Sequence, residues 1–137
     1  MRLYNIDHVG LAVFDLDAAL AEYERLYGIR PLYRETVASQ DVEEAMLPLG
    51  GSFVQLLQPL SKDGPVGRFL ERNGEGMHHL AFAVDDIDAA LKELAGEGVR
   101  LIDQEPRPGG RGAKIAFIHP KTLSGTLVEL VELPDDH

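Results

Sequence analysis

The chain has 137 residues, 45% of them hydrophobic and 26% charged, with a net charge of −10 and no cysteine. That length suits one domain. The negative balance argues against nucleic acid as a partner, and the lack of cysteine excludes disulfides, thiolate metal sites and cysteine nucleophiles. The apolar runs are too short to cross a membrane and Met1-Arg-Leu-Tyr-Asn5 lacks a signal-peptide core, so a cytoplasmic protein is expected.

In chain order, residues 3–14 read as a strand and residues 16–27 as a helix. Leu16, Ala19, Leu20, Tyr23, Leu26 and Tyr27 form its apolar stripe, Asp15 its N-cap and Gly28 its stop. Residues 31–38, 41–49 and 52–58 read as strands, with Gly50-Gly51 turning between the last two. Residues 61–76 carry glycine and proline at both ends and read as a linker, whose middle, Val66 to Asn73, can form a short helix. A strand at 77–84 and a helix at 86–95 follow, and then strands near 99–104, 113–119 and 125–132. Glu105-Pro-Arg-Pro-Gly-Gly-Arg-Gly112 reads as a loop, and the tail Pro134-Asp-Asp-His137 as loose chain. One domain over 1–137 is therefore expected, built as a first module at 1–60, the linker at 61–76 and a second module at 77–137, each module running strand, helix, strand, strand, strand.

The two modules share a phrase. His8-Val-Gly-Leu-Ala-Val-Phe-Asp-Leu-Asp-Ala-Ala-Leu20 returns as His79-Leu-Ala-Phe-Ala-Val-Asp-Asp-Ile-Asp-Ala-Ala-Leu91, with eight of thirteen positions identical at an offset of 71. Side chains alternate faces along a strand. Val9, Leu11 and Val13 therefore share one face and His8, Gly10 and Ala12 the other; in the repeat, Leu80, Phe82 and Val84 oppose His79, Ala81 and Ala83. A histidine followed by near-absent side chains, twice, reads as the wall of a cavity. The last strand of each module, Phe53-Val-Gln55-Leu-Leu57 and Leu127-Val-Glu129-Leu-Val131, carries one polar residue amid apolar ones, which is costly to bury without a partner. Imidazoles with oxygen donors suit a divalent first-row metal, so His8, Gln55, His79 and Glu129 are the expected metal ligands. His78 has the opposite parity and is not counted.

The sequence resembles the vicinal oxygen chelate (glyoxalase-like) superfamily, and within it the methylmalonyl-CoA epimerases. The resemblance is carried by Ile6-Asp-His8-Val, Val54-Gln55 with Pro59-Leu60, Met77-His-His79-Leu, Val84-Asp-Asp-Ile-Asp88, Glu105-Pro, Phe117-Ile-His-Pro-Lys121 and Leu127-Val-Glu129-Leu. It spans nearly the whole chain. It implies an α+β fold of two tandem βαβββ modules forming a half-open mixed β-barrel around a metal site, and a homodimer. It implies the same four ligands, and a second glutamate in the middle strand of the first module as catalytic base. Local match and parity with Met46 put that base at Glu44; Glu43 is the competing assignment.

The implied activity is interconversion of the 2S and 2R forms of methylmalonyl-CoA through a metal-stabilised enolate. Glu44 and Glu129 would serve as the acid–base pair at C2. A carboxylate in an apolar strand should have a raised pKa, which suits proton transfer near neutral pH. The cofactor is then one divalent ion, cobalt first, with manganese, nickel or zinc also fitting. The partner is an acyl-CoA whose phosphates Lys121, Arg107, Arg111 and Lys114 can bind, the resemblance supporting Lys121 in particular. His119 either touches the acyl carboxylate or supports the site. The alternatives are a lactoylglutathione lyase-like isomerase, which typically has a glutamate in place of Gln55, and a ligand-binding protein of the same fold; ring-opening dioxygenases are usually much longer.

Overall fold

A computed structural model describes residues 1–122 and 124–134 of the chain. Among the described residues it holds eight strands and three α-helices: β1 (Leu3–Ala12), α1 (Leu16–Tyr27), β2 (Tyr33–Val37), β3 (Val42–Leu49), β4 (Ser52–Pro59), α2 (Pro65–Asn73), β5 (Gly76–Val84), α3 (Ile87–Gly96), β6 (Arg107–Pro108), β7 (Lys114–Ile118) and β8 (Val128–Glu132). The strands form one mixed sheet in the order β2-β3-β4-β1-β5-β8-β7-β6. This is the α+β architecture expected from the sequence. The chain divides into two compact units, His8–His78 and Met1–Asp7 with His79–His137.

In the unit His8–His78, Asp15 caps α1 by accepting from the Ala18 amide at 3.1 Å, and Gly28 ends it with a left-handed φ of 68°. Leu16, the first helical residue, is fully buried, and with Val13, Ala45, Leu47 and Leu56 it forms the core under α1, backed by Leu11, Ala19, Leu20 and Tyr23. The opposite face of the sheet packs Ala12, Val37, Val42 and Leu57 against Val66 and Leu70 of α2. β1 and β4 are parallel, pairing His8 with Phe53 and Gly10 with Gln55. β3 runs antiparallel to β4, with Met46 opposite Gln55 and Glu44 opposite Leu57.

The second unit repeats the plan. Asp86 caps α3 through the Ala89 amide at 3.0 Å, and Ile87 is fully buried with Val84, Ala90, Leu91, Ala116, Ile118, Val128 and Leu130. β5 and β8 are parallel with Ala81 opposite Glu129, and β7 is antiparallel to β8 with Phe117 opposite Glu129. The two helix starts are held alike. The Leu16 amide donates to Gln58 Oε1 at 2.7 Å and the Ile87 amide to Glu132 Oε1 at 2.9 Å, each acceptor lying three residues beyond Gln55 or Glu129.

One expected strand is missing. Residues 99–104 contribute only the bridge between Leu101 and Ile118, and the pairing strand is the two-residue β6 further on. The Ile102 and Asp103 amides share the Phe117 carbonyl, at 3.0 and 3.2 Å, and the Asp103 side chain accepts from the Phe117 amide at 2.8 Å. A side chain thus takes the place of a ladder partner. Pro106 and Pro108 lack the amide that a longer strand would need.

Candidate metal centre and active site

The first group of site residues lies on one face of β1, β3 and β4. His8 and Gly10 share a face, and register sets Gln55 beside Gly10. His8, Glu44 and Gln55 are all buried. Gln55 Nε2 donates to Glu44 Oε1 at 3.1 Å, and the Tyr33 hydroxyl donates to Glu44 Oε2 at 3.4 Å. The Gln55 amide oxygen is buried and has no hydrogen-bond partner among the described residues. An orphaned buried oxygen loses its hydration without return unless a ligand takes it up, and a cation does so directly.

Glu43 behaves differently from its neighbour. Its Oε2 accepts from Arg34 Nε at 3.1 Å, and the same guanidinium reaches Asp17 at 2.6 Å. Pleating sends Glu43 into this surface ion pair and Glu44 into the apolar interior beside Gln55.

The second group is on β5, β7 and β8. His79 Nε2 lies 2.9 Å from Glu129 Oε1, both side chains being buried. Two donors at neighbouring corners around a cation, with bonds of about 2.1 Å, stand about 3 Å apart. The Phe117 ring meets the His79 imidazole edge to face, with centroids 5.6 Å apart at 87°. Among the described residues, His8, His79 and Glu129 are buried, and each offers one atom that could bind a metal ion. Imidazole, carboxylate and amide oxygen donors fit a divalent first-row ion.

The basic residues are deployed less uniformly than the sequence suggests. Arg111 makes a two-point ion pair with buried Asp7, 104 residues away, from a left-handed backbone at φ 57°. Arg107 stacks over the Phe117 ring with Cζ 5.3 Å from its centroid. Lys114 is exposed and lies 3.9 Å from Glu132. Lys121 is exposed in a 3-10 turn, where its amide donates to His119 Nδ1 at 3.1 Å. Desolvation first, then the charges of Arg100 and Lys121, lower the His119 pKa from its ordinary value. His78 stacks edge to face on Phe69 of α2, with centroids 5.0 Å apart.

Tyr33, Phe117 and the Asp7–Arg111 pair carry no role in the sequence reading. The parity and pairing of Phe117 opposite Glu129 were within reach of it. The pairing of Asp7 with Arg111 across 104 residues was not.

Residues 7–117 match the glyoxalase/bleomycin resistance protein/dioxygenase superfamily, and the chain belongs to that superfamily. It is 43% identical over 131 residues to the uncharacterized protein YqjC of Bacillus subtilis, covering 96% of this chain and 94% of that one. It is 36% identical over 130 residues to the mitochondrial methylmalonyl-CoA epimerase of Homo sapiens, covering 94% and 74%. A variant of the Streptomyces coelicolor methylmalonyl-CoA epimerase, solved in complex with 2-nitronate-propionyl-CoA, superposes with a TM-score of 0.93 at 43% identity, covering 96% of each chain. Within the superfamily, the family is that of the methylmalonyl-CoA epimerases.

Proposed function

We propose that this chain is a metal-dependent epimerase that interconverts the 2S and 2R forms of methylmalonyl-CoA. The observation that carries the reading is the set of buried metal-binding side chains, the His79–Glu129 pair in one unit and His8 with the orphaned amide oxygen of Gln55 in the other. These four residues would hold one divalent cation. When bound, that cation supplies Lewis acidity for the negative charge that develops on the thioester oxygen. A neutral Gln55 in place of a fourth charged ligand leaves the site one unit more positive, which suits a substrate carrying its own carboxylate.

The reacting hydrogen sits on C2, between a thioester and a carboxylate. The C2–H bond breaks, its proton passes to one carboxylate, and its electron pair delocalises as an enolate. A proton then returns to C2 on the other face from the second carboxylic acid, and the roles exchange in the reverse direction. Glu44 and Glu129 take these parts. Glu44 is suited to proton transfer because the Gln55 amide and the Tyr33 hydroxyl fix both of its oxygens, and because it is buried away from water. The exposed Lys121 and Lys114 are the cations free of the interior for coenzyme A phosphates. A homodimer and a cytoplasmic location accompany this reading; among the described residues no helix is long and apolar enough to cross a membrane.

The test is incubation with a divalent metal and methylmalonyl-CoA in deuterated water, following the C2 proton. Loss of that signal with inversion of C2 is expected. Its retention, with turnover of a glutathione hemithioacetal, would transfer the assignment to a lyase-type isomerase.

A further inference from the structure

Arg107 belongs, by sequence, with the cations expected to meet coenzyme A. The structure gives it another setting. Its guanidinium lies over the Phe117 ring, 5.3 Å from the centroid, within the range of a cation–π contact. The same ring stands at 87° to the His79 imidazole with centroids 5.6 Å apart, and His79 Nε2 lies 2.9 Å from Glu129 Oε1. Asp103 closes the far end: its Oδ2 accepts from the Phe117 amide at 2.8 Å and lies 3.5 Å from Arg107 Nε. Asp103, Arg107, Phe117, His79 and Glu129 thus form a continuous stack.

We propose that Arg107 is a positioning residue for the cation site, fixing the His79 imidazole through the Phe117 ring. An imidazole can turn about its side-chain bonds, and a ligand that turns spends less time in the orientation that binds. Phe117 limits that rotation only if it is itself held. Backbone pairing and Asp103 hold its main chain, and the guanidinium covers its face. Outer groups that hydrogen-bond a metal ligand alter metal affinity about 10–100-fold in other sites, and a packing partner is expected at the low end of that range. The proposal rests on His79 being a ligand. It gives Arg107 an effect on the bare site, before any acyl-CoA is present.

The test is titration of the metal-free full-length protein with cobalt(II) alone, read by calorimetry and by the visible absorption of the bound ion. Arg107→Leu is expected to weaken binding about tenfold and to shift the cobalt bands, whereas Arg107→Lys, which keeps a cation over the ring, recovers most of the affinity. Phe117→Leu, which keeps apolar volume, should reproduce the Arg107→Leu result and serves in its place if that variant does not fold. Wild-type affinity and spectrum in Arg107→Leu, or in Phe117→Leu where Arg107→Leu does not fold, would overturn the proposal, even if the KM for acyl-CoA rises. His79→Ala is the control. If it binds cobalt as tightly as the wild type, the ligand assignment falls and the proposal with it; if it binds weakly while Arg107→Leu binds normally, only the proposal falls.

Discussion

The strand pairs β1–β4 and β5–β8 are built to one plan and differ in charge. Each places a polar side chain two residues past a histidine in parallel register, Gln55 against Gly10 and Glu129 against Ala81. Each then has an antiparallel neighbour, and there the halves diverge. Opposite Gln55 lies Met46 and opposite Glu129 lies Phe117. Opposite Leu57 lies Glu44, whereas opposite Val131 lies Ile115. Both halves have a histidine, a polar residue in the last strand and a small residue beside it, at matching positions. The extra carboxylate is confined to one half and the aromatic ring to the other. The proposed proton-transfer pair therefore takes Glu44 from one half and Glu129 from the other, with Glu129 also a proposed ligand.

The sharpest way to break this comparison is to remove the charge that only one half has. Glu44→Gln is expected to lower kcat about 10²–10⁴-fold while cobalt(II) still binds, and Glu43→Gln to change kcat less than about twofold. Glu129→Gln should lose both activity and metal affinity. Rate and metal titration together check all three, and an inactive Glu43→Gln beside an active Glu44→Gln would reverse the assignment.

The shared plan predicts equal costs where the halves match. Leu16 and Ile87 each begin a helix, follow an Asp cap and are fully buried. Leu16→Ala and Ile87→Ala should each cost about 2–5 kcal/mol in denaturant unfolding. Leu26→Ala, at a site 57% exposed, should stay within about 0.5 kcal/mol. Making the halves alike in charge has a smaller effect: Gln55→Glu should tighten the cation and raise the KM for methylmalonyl-CoA about tenfold, seen in initial rates at saturating metal.

The smallest expected effect concerns His119, which has no counterpart in the first half. Its folded-state pKa lies below that of the unfolded chain, near 6.5. The unfolded state therefore takes up a proton first as pH falls through about 6.5, and folding loses stability from there down to the folded pKa. An NMR titration of the imidazole should give a midpoint below that of free histidine, and His119→Gln should flatten this part of the stability profile.

The repeat at offset 71 and strand parity made the doubled architecture legible, together with the shared faces of His8 with Gln55 and of His79 with Glu129. Those features are local and periodic, so the sequence displays them directly. The segment 99–104 reads as a strand but is not one, because Asp103 satisfies the Phe117 amide with its side chain, a bond no hydropathy pattern reveals. The inward turn of Arg107 and Arg111 was hidden for a related reason. Both sit in a proline- and glycine-rich stretch that reads as solvated loop, and their partners, Phe117 and Asp7, are specified by the tertiary fold.

The most direct measurement is diffraction from crystals soaked in manganese(II), with the ion located by its anomalous signal. One peak bonded to His8, Gln55, His79 and Glu129, with Glu44 beside it but not bonded, is the predicted result. A site that leaves out either imidazole, or an ion held by Glu44 in place of Gln55, would contradict the account.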